Sequence, residues 1–360
     1  MSKPLHVLVV DDSAVVREAM AAVLADGEGI TVTTAPNPIV ARRRMALKRP
    51  DVIVLDLDMP EEDGLTFLRS QMAQDPIPVV ICSSHSVQGS RAALQALHDG
   101  AVEVVAKPRI GVREFVQESK IILLDAIRGA AAARLRRRGP VVAAPVVRVA
   151  APVPVSGGSS RRLIAIAAST GGPQALHEVL AALPAETPGI VVVQHMPAGF
   201  TTAFAKHLDE RCAISVREAE AGDEVQDGLA LIAPGGRHLS LRRSRTGFAV
   251  EVTDGDLVSR HRPSADVLFR SVAEQVGGEA LGVILTGMGD DGAEGLVAMK
   301  AAGAATVAQD EATCVVYGMP KEAVARGAID VVLPLSQVAD CISGWTRKRR
   351  RERITTGEDK

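Results

Sequence analysis

Ser169, His195 and the pair Asp290-Asp291 are the residues of this sequence best suited to act together. Hydroxyl, imidazole and carboxylate are what is needed to deprotonate a serine, hold the base in its useful tautomer and stabilise the imidazolium that forms. Each stands just past an apolar run of strand length. Ser169-Thr170 follows Leu163–Ala168, His195 follows Ile190–Gln194, and Asp290-Asp291 lies beyond residues 281–285 and the turn Gly287-Met288-Gly289. After Ser169, Gly171-Gly172-Pro173 turns the chain into a helix, with proline suited to its first turn. Backbone N–H groups and the positive end of the helix converge at such a point and stabilise developing negative charge. A glycine-rich turn of this kind also binds phosphate, but GxxxxGK[ST] is not present. Asp290-Asp291 as a metal pair lacks further acids at suitable spacing. For the base, His195 is preferred over His177, His207, His238 and His261, because it ends a buried strand beside the candidate nucleophile's own.

A second set lies in the N-terminal third. Asp11, Asp12, Asp56, Ser83 and Lys107 all stand at the carboxyl ends of short apolar strands. Three carboxylates brought together repel unless a cation sits between them, and an all-oxygen donor set with retained water suits Mg²⁺. Lysine and serine supply a cation and a hydrogen-bond donor for phosphoryl oxygens, and Asp56 is the candidate phosphoryl acceptor.

The elements that must position these residues read as alternating strands and helices. Strands at 5–10, 30–34, 52–55, 79–82 and 102–106 alternate with helices at 14–24, 39–48, 65–73, 91–98 and 112–127, the pattern of an open, doubly wound parallel sheet. Ligands of such sheets bind at the carboxyl ends of the strands. From residue 129 to 160 the chain is rich in Ala, Pro, Val and Arg, which predicts an extended linker with 130–138 prolonging the last helix. The second half reads as strands at 163–168, 190–194, 229–233, 281–285 and 305–309, a hairpin at 239–241 and 248–253, and helices at 201–208, 264–276, 293–302 and 320–326. This too is α/β with a mainly parallel sheet.

Composition narrows the field. At 360 residues the chain is long enough for two cores, and with 2% aromatics those cores are built from Val, Leu, Ile and Ala. A net charge of −2 leaves no global footprint for nucleic acid. The basic runs fall in the linker and in Arg347-Lys348-Arg349-Arg350-Arg351, read as solvated segments. Four cysteines without metal-ligand spacing, no leader-like segment and no apolar run of membrane-spanning length predict a reduced, cytoplasmic protein that does not insert into a membrane.

Two resemblances are carried by these residues. Val10-Asp11-Asp12-Ser13, Asp56 with Met59-Pro60 and Asp63-Gly64, Ser83 and Lys107-Pro108 resemble the receiver domain of two-component response regulators, over residues 4–125. That likeness implies a flavodoxin-like (βα)5 fold, phosphorylation of Asp56 by a histidine kinase, and Mg²⁺ held by Asp12, Asp56 and the Asp58 carbonyl with Asp11 helping. Val104 stands where receivers usually carry Tyr or Phe, and Glu62 where the related methylesterases usually have an apolar residue. Ala168 to Pro173, Gln194-His195-Met196-Pro197, Ala233-Pro234-Gly235, His261 to Asp266, Leu285 to Gly292 and Gly318-Met319-Pro320 are similar to the catalytic domain of chemotaxis protein-glutamate methylesterases, the CheB family, over 161–343. The resemblance implies Ser169 as nucleophile, His195 as general base and Asp291 as its orienter, with the amides of Thr170 and Met288 as oxyanion hole. Asp290 stands where the family often has Asn, and Ala167 replaces a usual glycine.

The expectation is a receiver at 1–128, a linker at 129–160, a doubly wound methylesterase domain at 161–345 and a disordered basic tail at 346–360. The resemblance implies hydrolysis of glutamate γ-methyl esters on chemoreceptor cytoplasmic domains, with glutamine deamidation as a companion reaction and no cofactor for the ester chemistry. A monomer is expected, its receiver blocking the Ser169 edge until Asp56 is phosphorylated. Two rival readings are a non-catalytic partner-binding output, against which the Ser/His/Asp set argues, and a transcription factor, for which there is no helix-turn-helix pattern.

Overall fold

The computed structural model describes residues 4–60, 62–83, 86–107, 113–134 and 162–356. They divide into two compact units, each with its own parallel sheet. The first alternates β1 (Leu5–Val10), α1 (Ala14–Ala25), β2 (Ile30–Ala35), α2 (Pro38–Leu47), β3 (Val52–Leu55), α3 (Gly64–Gln74), β4 (Val79–Ser83), α4 (Val87–His98), β5 (Glu103–Ala106) and α5 (Arg113–Ala132). Strand order β2-β1-β3-β4-β5, with every pair parallel, is the doubly wound arrangement whose reversal lies between β1 and β3. Both strands that flank this point are buried on both faces, so β3 reads as an unbroken apolar run. Helix α4 starts at Val87, four residues before the position the apolar spacing suggests, because Ser86 caps it and accepts from the Gly89 amide at 2.9 Å.

The chain continues with β6 (Leu163–Ala168), α6 (Gly172–Ala181), β7 (Ile190–Gln194), α7 (Phe200–Asp209), β8 (Ser215–Glu218), β9 (Leu229–Ile232), β10 (His238–Arg243), β11 (Phe248–Thr253), α8 (Ala265–Gln275), β12 (Ala280–Ile284), α9 (Ala293–Ala301), β13 (Ala305–Gln309), α10 (Met319–Ala325), β14 (Val331–Leu333) and α11 (Leu335–Thr356), which build the second unit apart from residues 196–203, grouped with the first. The sheet of the second unit runs β14-β13-β12-β6-β7-β9-β8, all parallel, while β10 and β11 form a separate antiparallel ribbon. Strands β8 and β14 escape the sequence reading. Each is an edge strand of four residues or fewer, with exposed positions that weaken the apolar signal.

The central strand β6 is wholly buried, and its small residues let helices close on both faces. Leu163, Ala165 and Ala167 face a core shared with Val191, Leu231, Phe269 and Leu296. From β6 the chain moves outward through β7 and β9, then crosses back to β12 on the other side. The tips of β6, β7 and β12 therefore meet at the topological switch point of this sheet.

Two readings of the chain ends need correction. The basic run from Arg347 to Arg351, expected in a disordered tail beginning at 346, lies on α11, which continues to Thr356. Lys and Arg are good helix formers, so the charge that suggested a solvated tail does not stop the helix. Helix α5 ends at Ala132, short of the expected 138, and the linker positions 135–160 lie outside the described residues. Among the described residues no helix is long and apolar enough to cross a membrane.

Candidate active site

Ser169 leaves β6 at a turn that few residues could make. Gly171 adopts φ 76°, and a Cβ there would come within 2.5 Å of Val315 Cβ, so only glycine satisfies both backbone and space. The turn is pinned by Thr286, which follows β12. The Ser169 amide donates to the Thr286 carbonyl at 3.0 Å, and the Thr286 hydroxyl donates to the Thr170 carbonyl at 2.9 Å. That hydroxyl also accepts from the Val316 amide at 3.0 Å, so one buried threonine ties the tip of β6 to the segment before α10. Gln194, at the end of β7, donates to the carbonyls of both Ser169 and His195 at 3.0 Å. Gly287 presses against the serine: a Cβ there would lie 2.8 Å from Ser169 Cβ and 2.3 Å from Met319 Sδ.

His195 follows β7 and meets Asp291, its Nε2 lying 2.8 Å from Oδ2. The other ring nitrogen, Nδ1, is buried and has no hydrogen-bond partner among the described residues. The Ser169 hydroxyl is not hydrogen-bonded to the ring in this state, a looseness common in active sites without substrate. Asp291 is 1% exposed and accepts four hydrogen bonds. Oδ2 takes His195 and the Ala265 amide at 2.7 Å; Oδ1 takes the Ser264 hydroxyl at 2.7 Å and the Asp266 amide at 3.0 Å. Two of these donors are the unpaired amides that open α8, where a negative charge is favoured. Burial pushes the Asp291 carboxyl up, but its hydrogen bonds and the imidazoles outweigh that and hold it below the usual carboxylate range. Asp290 points the other way, to Arg326 at 3.3 Å and Arg260 at 3.7 Å on the surface. Among the described residues the amides of Thr170 and Met288 donate to no protein acceptor.

Three residues beside this constellation carry weight that sequence reasoning did not give them. His261 stacks on His195, with ring centroids 3.7 Å apart and planes 20° from parallel. Ser264 binds Asp291 and donates its own amide to His238 Nδ1 at 3.3 Å. His238 Nε2 in turn donates to the Asp256 carbonyl at 2.8 Å, which makes it a structural histidine in its Nε2–H tautomer. For His261 and Ser264 the signal was the stretch His261 to Asp266, whose residue types gave no clue to which of them touch; His238 lies outside it.

The receiver-like unit gathers its own set at the switch point of its sheet. Lys107 Nζ lies 2.6 Å from Asp56 Oδ2 and 3.0 Å from Asp11 Oδ2. Carboxylate oxygens of Asp11, Asp12 and Asp56 lie within 4.8 Å of one another. Burial raises the Asp56 carboxyl, with the Asp11 charge adding to it, although the Lys107 hydrogen bond and charge oppose the rise. Lys107 is held above its ordinary value, its desolvation outweighed by Asp56 and Asp11. The Asp58 amide donates to Asp56 Oδ1 at 3.2 Å, and Ser83 is fully buried with its hydroxyl directed to the Gly89 carbonyl at 3.4 Å. Glu62, odd for its position, forms two 2.6 Å bonds to Arg42, whose guanidinium lies over the Phe67 ring at 5.1 Å. Val104 is buried in β5 opposite Ile81.

Comparison with known proteins agrees with both halves. Residues 164–342 match the CheB methylesterase family and residues 7–118 the response regulator receiver domain. The chain is 56% identical over 345 residues to protein-glutamate methylesterase/protein-glutamine glutaminase 5 of Anaeromyxobacter dehalogenans, covering 94% of this chain and 95% of that one. It is 52% identical to the protein-glutamate methylesterase/protein-glutamine glutaminase 2 of Rhodospirillum rubrum, covering 94% and 98%. A crystal structure of the Thermotoga maritima CheB methylesterase catalytic domain is 40% identical, covering 50% of this chain and 96% of its own, with a TM-score of 0.49.

Proposed function

The chain belongs to the CheB methylesterase family, and from that premise we propose that it is a phosphorylation-activated protein-glutamate methylesterase and protein-glutamine glutaminase acting on chemoreceptor cytoplasmic domains. Ser169 is the nucleophile, His195 the base and Asp291 its orienter. The observation that carries the reading is the state of His195. Its Nε2 is committed to a buried carboxylate, while Nδ1 has no partner among the described residues and stands at the tip of the strand next to that of Ser169.

Asp291 fixes the tautomer with hydrogen on Nε2, so Nδ1 carries the lone pair. Nδ1 takes the Ser169 proton as Oγ attacks the γ-carbonyl carbon of a glutamate methyl ester. The C–OCH3 bond breaks as His195 returns that proton to the departing oxygen, and methanol leaves. Water, deprotonated by the same nitrogen, then attacks the acyl-enzyme, releasing glutamate and restoring Ser169. With a glutamine side chain the leaving group is ammonia. The unclaimed amides of Thr170 and Met288 suit the oxyanion formed in both steps.

For control, a histidine kinase donates a phosphoryl group to Asp56. The oxygen-only set of Asp11, Asp12 and Asp56 fits a hard divalent cation, so these residues with the Asp58 carbonyl would hold Mg²⁺, which supplies charge neutralisation for phosphoryl transfer. Lys107 and Ser83 then meet the phosphoryl oxygens, and phosphorylation of Asp56 raises the esterase activity. Methanol release from methylated receptor membranes tests the reading. Full-length enzyme with a phosphoryl donor should release methanol and Ser169→Ala should not; equal release by both would refute it.

A further inference from the structure

We propose that His261 is a positioning residue for this reaction: its imidazole, stacked on His195, holds that ring in the one plane that joins Nε2 to Asp291 and leaves Nδ1 open. The proposal rests on the reading of His195 as the base.

Asp291 gives His195 a single 2.8 Å hydrogen bond, through one edge of the ring. One such bond fixes a distance but leaves the ring free to swing about the line from Nε2 to Oδ2. A second flat group against the face of the ring removes that freedom. At 3.7 Å between centroids and 20° between planes, His261 lies flat against His195 in van der Waals contact.

The backbone that delivers His261 is built for the purpose. Val258 to His261 is a tight turn, closed by the Val258 amide on the His261 carbonyl at 3.1 Å and the His261 amide on the Val258 carbonyl at 2.9 Å. Its two central residues, Ser259 and Arg260, have φ of 50° and 68°, a left-handed conformation that glycine adopts freely and L side chains rarely do. Neither is glycine, and strain of this kind persists where the surroundings over-determine it, often at functional sites. Here the Ser259 hydroxyl donates to Asp266 Oδ2 at 3.0 Å, and Asp266 Oδ1 accepts from the Gly295 amide at 2.8 Å. Asp266 belongs to the same first turn of α8 whose amides hold Asp291. Both supports of the His195 ring, its edge and its face, are thus referred to one helix end.

The chemistry of the plate also fits. Burial, and then His195 itself, hold the His261 imidazole well below its ordinary range. A neutral ring covers the face of His195 without repelling the imidazolium that forms there during turnover.

The test uses the full-length chain with a phosphoryl donor, methylated receptor membranes and methanol release, comparing His261→Ala, His261→Phe and His195→Gln. Misplacing a catalytic group by about 1 Å can cost roughly 10²-fold, so His261→Ala should lower kcat by about 10–100-fold with KM changed less than about twofold. His261→Phe, which keeps a flat ring, should recover to within about fivefold of the parent. The downfield imidazole N–H proton signal of His195 should persist in the parent and in His261→Phe and broaden in His261→Ala. Parent-like activity of His261→Ala, or equal loss in both His261 variants, would overturn the proposal while an inactive His195→Gln left the base reading intact. An active His195→Gln would overturn both.

Discussion

The carboxylate of Asp291 can be removed in two ways that this geometry predicts to differ. Asparagine has the same shape but must turn an NH2 toward one pair of donors. On the Oδ2 side it would face the Ala265 amide and His195; on the Oδ1 side it would face the Asp266 amide and the Ser264 hydroxyl. A hydroxyl can reverse and accept, whereas an amide cannot. The NH2 of Asp291→Asn therefore settles on the Oδ1 side, leaving one amide opposed and keeping the His195 Nε2–H on a carbonyl oxygen. Because the tautomer survives and only the charge is lost, kcat should fall by about 10²-fold, against about 10⁴-fold for Asp291→Ala. Alanine strands two buried amides, each costing about 1–3 kcal/mol, so it should destabilise by about 2–6 kcal/mol. In a unit of this size each kcal/mol moves Tm by about 2–4 °C, so the alanine variant should melt at least about 4 °C lower. Methanol release and calorimetry on the full-length variants measure both. Equal activity loss in the two variants, or an alanine variant melting with the parent, would refute the reasoning. The sign of the pH effect also follows. A carboxyl held below its unfolded value stabilises the fold above about pH 4, and that contribution is lost as pH falls through its lowered native value, so the acid-side loss should be shallower in Asp291→Asn.

Other outcomes follow from the same contacts. Gly287→Ala drives a methyl against Met319 Sδ and Ser169 Cβ, and should cost about 1–3 kcal/mol by thermal unfolding together with a fall in kcat of at least about tenfold. His261 is neutral when folded under the influence of burial, His195 and Arg260, opposed by Asp291, whereas the unfolded chain takes up a proton near pH 6.5. Its contribution is therefore complete above about pH 6.5 and lost below it, and urea titrations of His261→Phe should show a weaker decline between about pH 7 and 5 than the parent. Asp56→Asn, or chelation of divalent cations, should remove the stimulation of methanol release by a small phosphoryl donor; stimulation that survives either would contradict the assignment of Asp56.

The sheets were legible because parallel strands buried on both faces print as unbroken apolar runs, as in Val52–Leu55 and Leu163–Ala168. Residues just past those runs reach the strand tips by construction, which is why Asp56, Lys107, Ser169 and His195 could be picked out. The contacts among them were less accessible. Asp290 and Asp291 are neighbours of the same type, and only the fold shows one turned to His195 and the other to Arg326. His261 was set aside as a base because no strand tip delivers it, and a strained turn of two non-glycine residues leaves no mark in a sequence. The basic end misled for the opposite reason: charge density suggests solvation, yet α11 runs on to Thr356, and Lys and Arg are residue types that favour helix.

The central claim is that His195, oriented by Asp291, makes Ser169 the nucleophile. Labelling the full-length protein with a fluorophosphonate and locating the adduct by mass spectrometry tests this most directly. The account predicts one adduct per chain, on Ser169, formed at least about 10²-fold more slowly in His195→Gln. An adduct on another residue, or labelling of Ser169 at the same rate without His195, would contradict it.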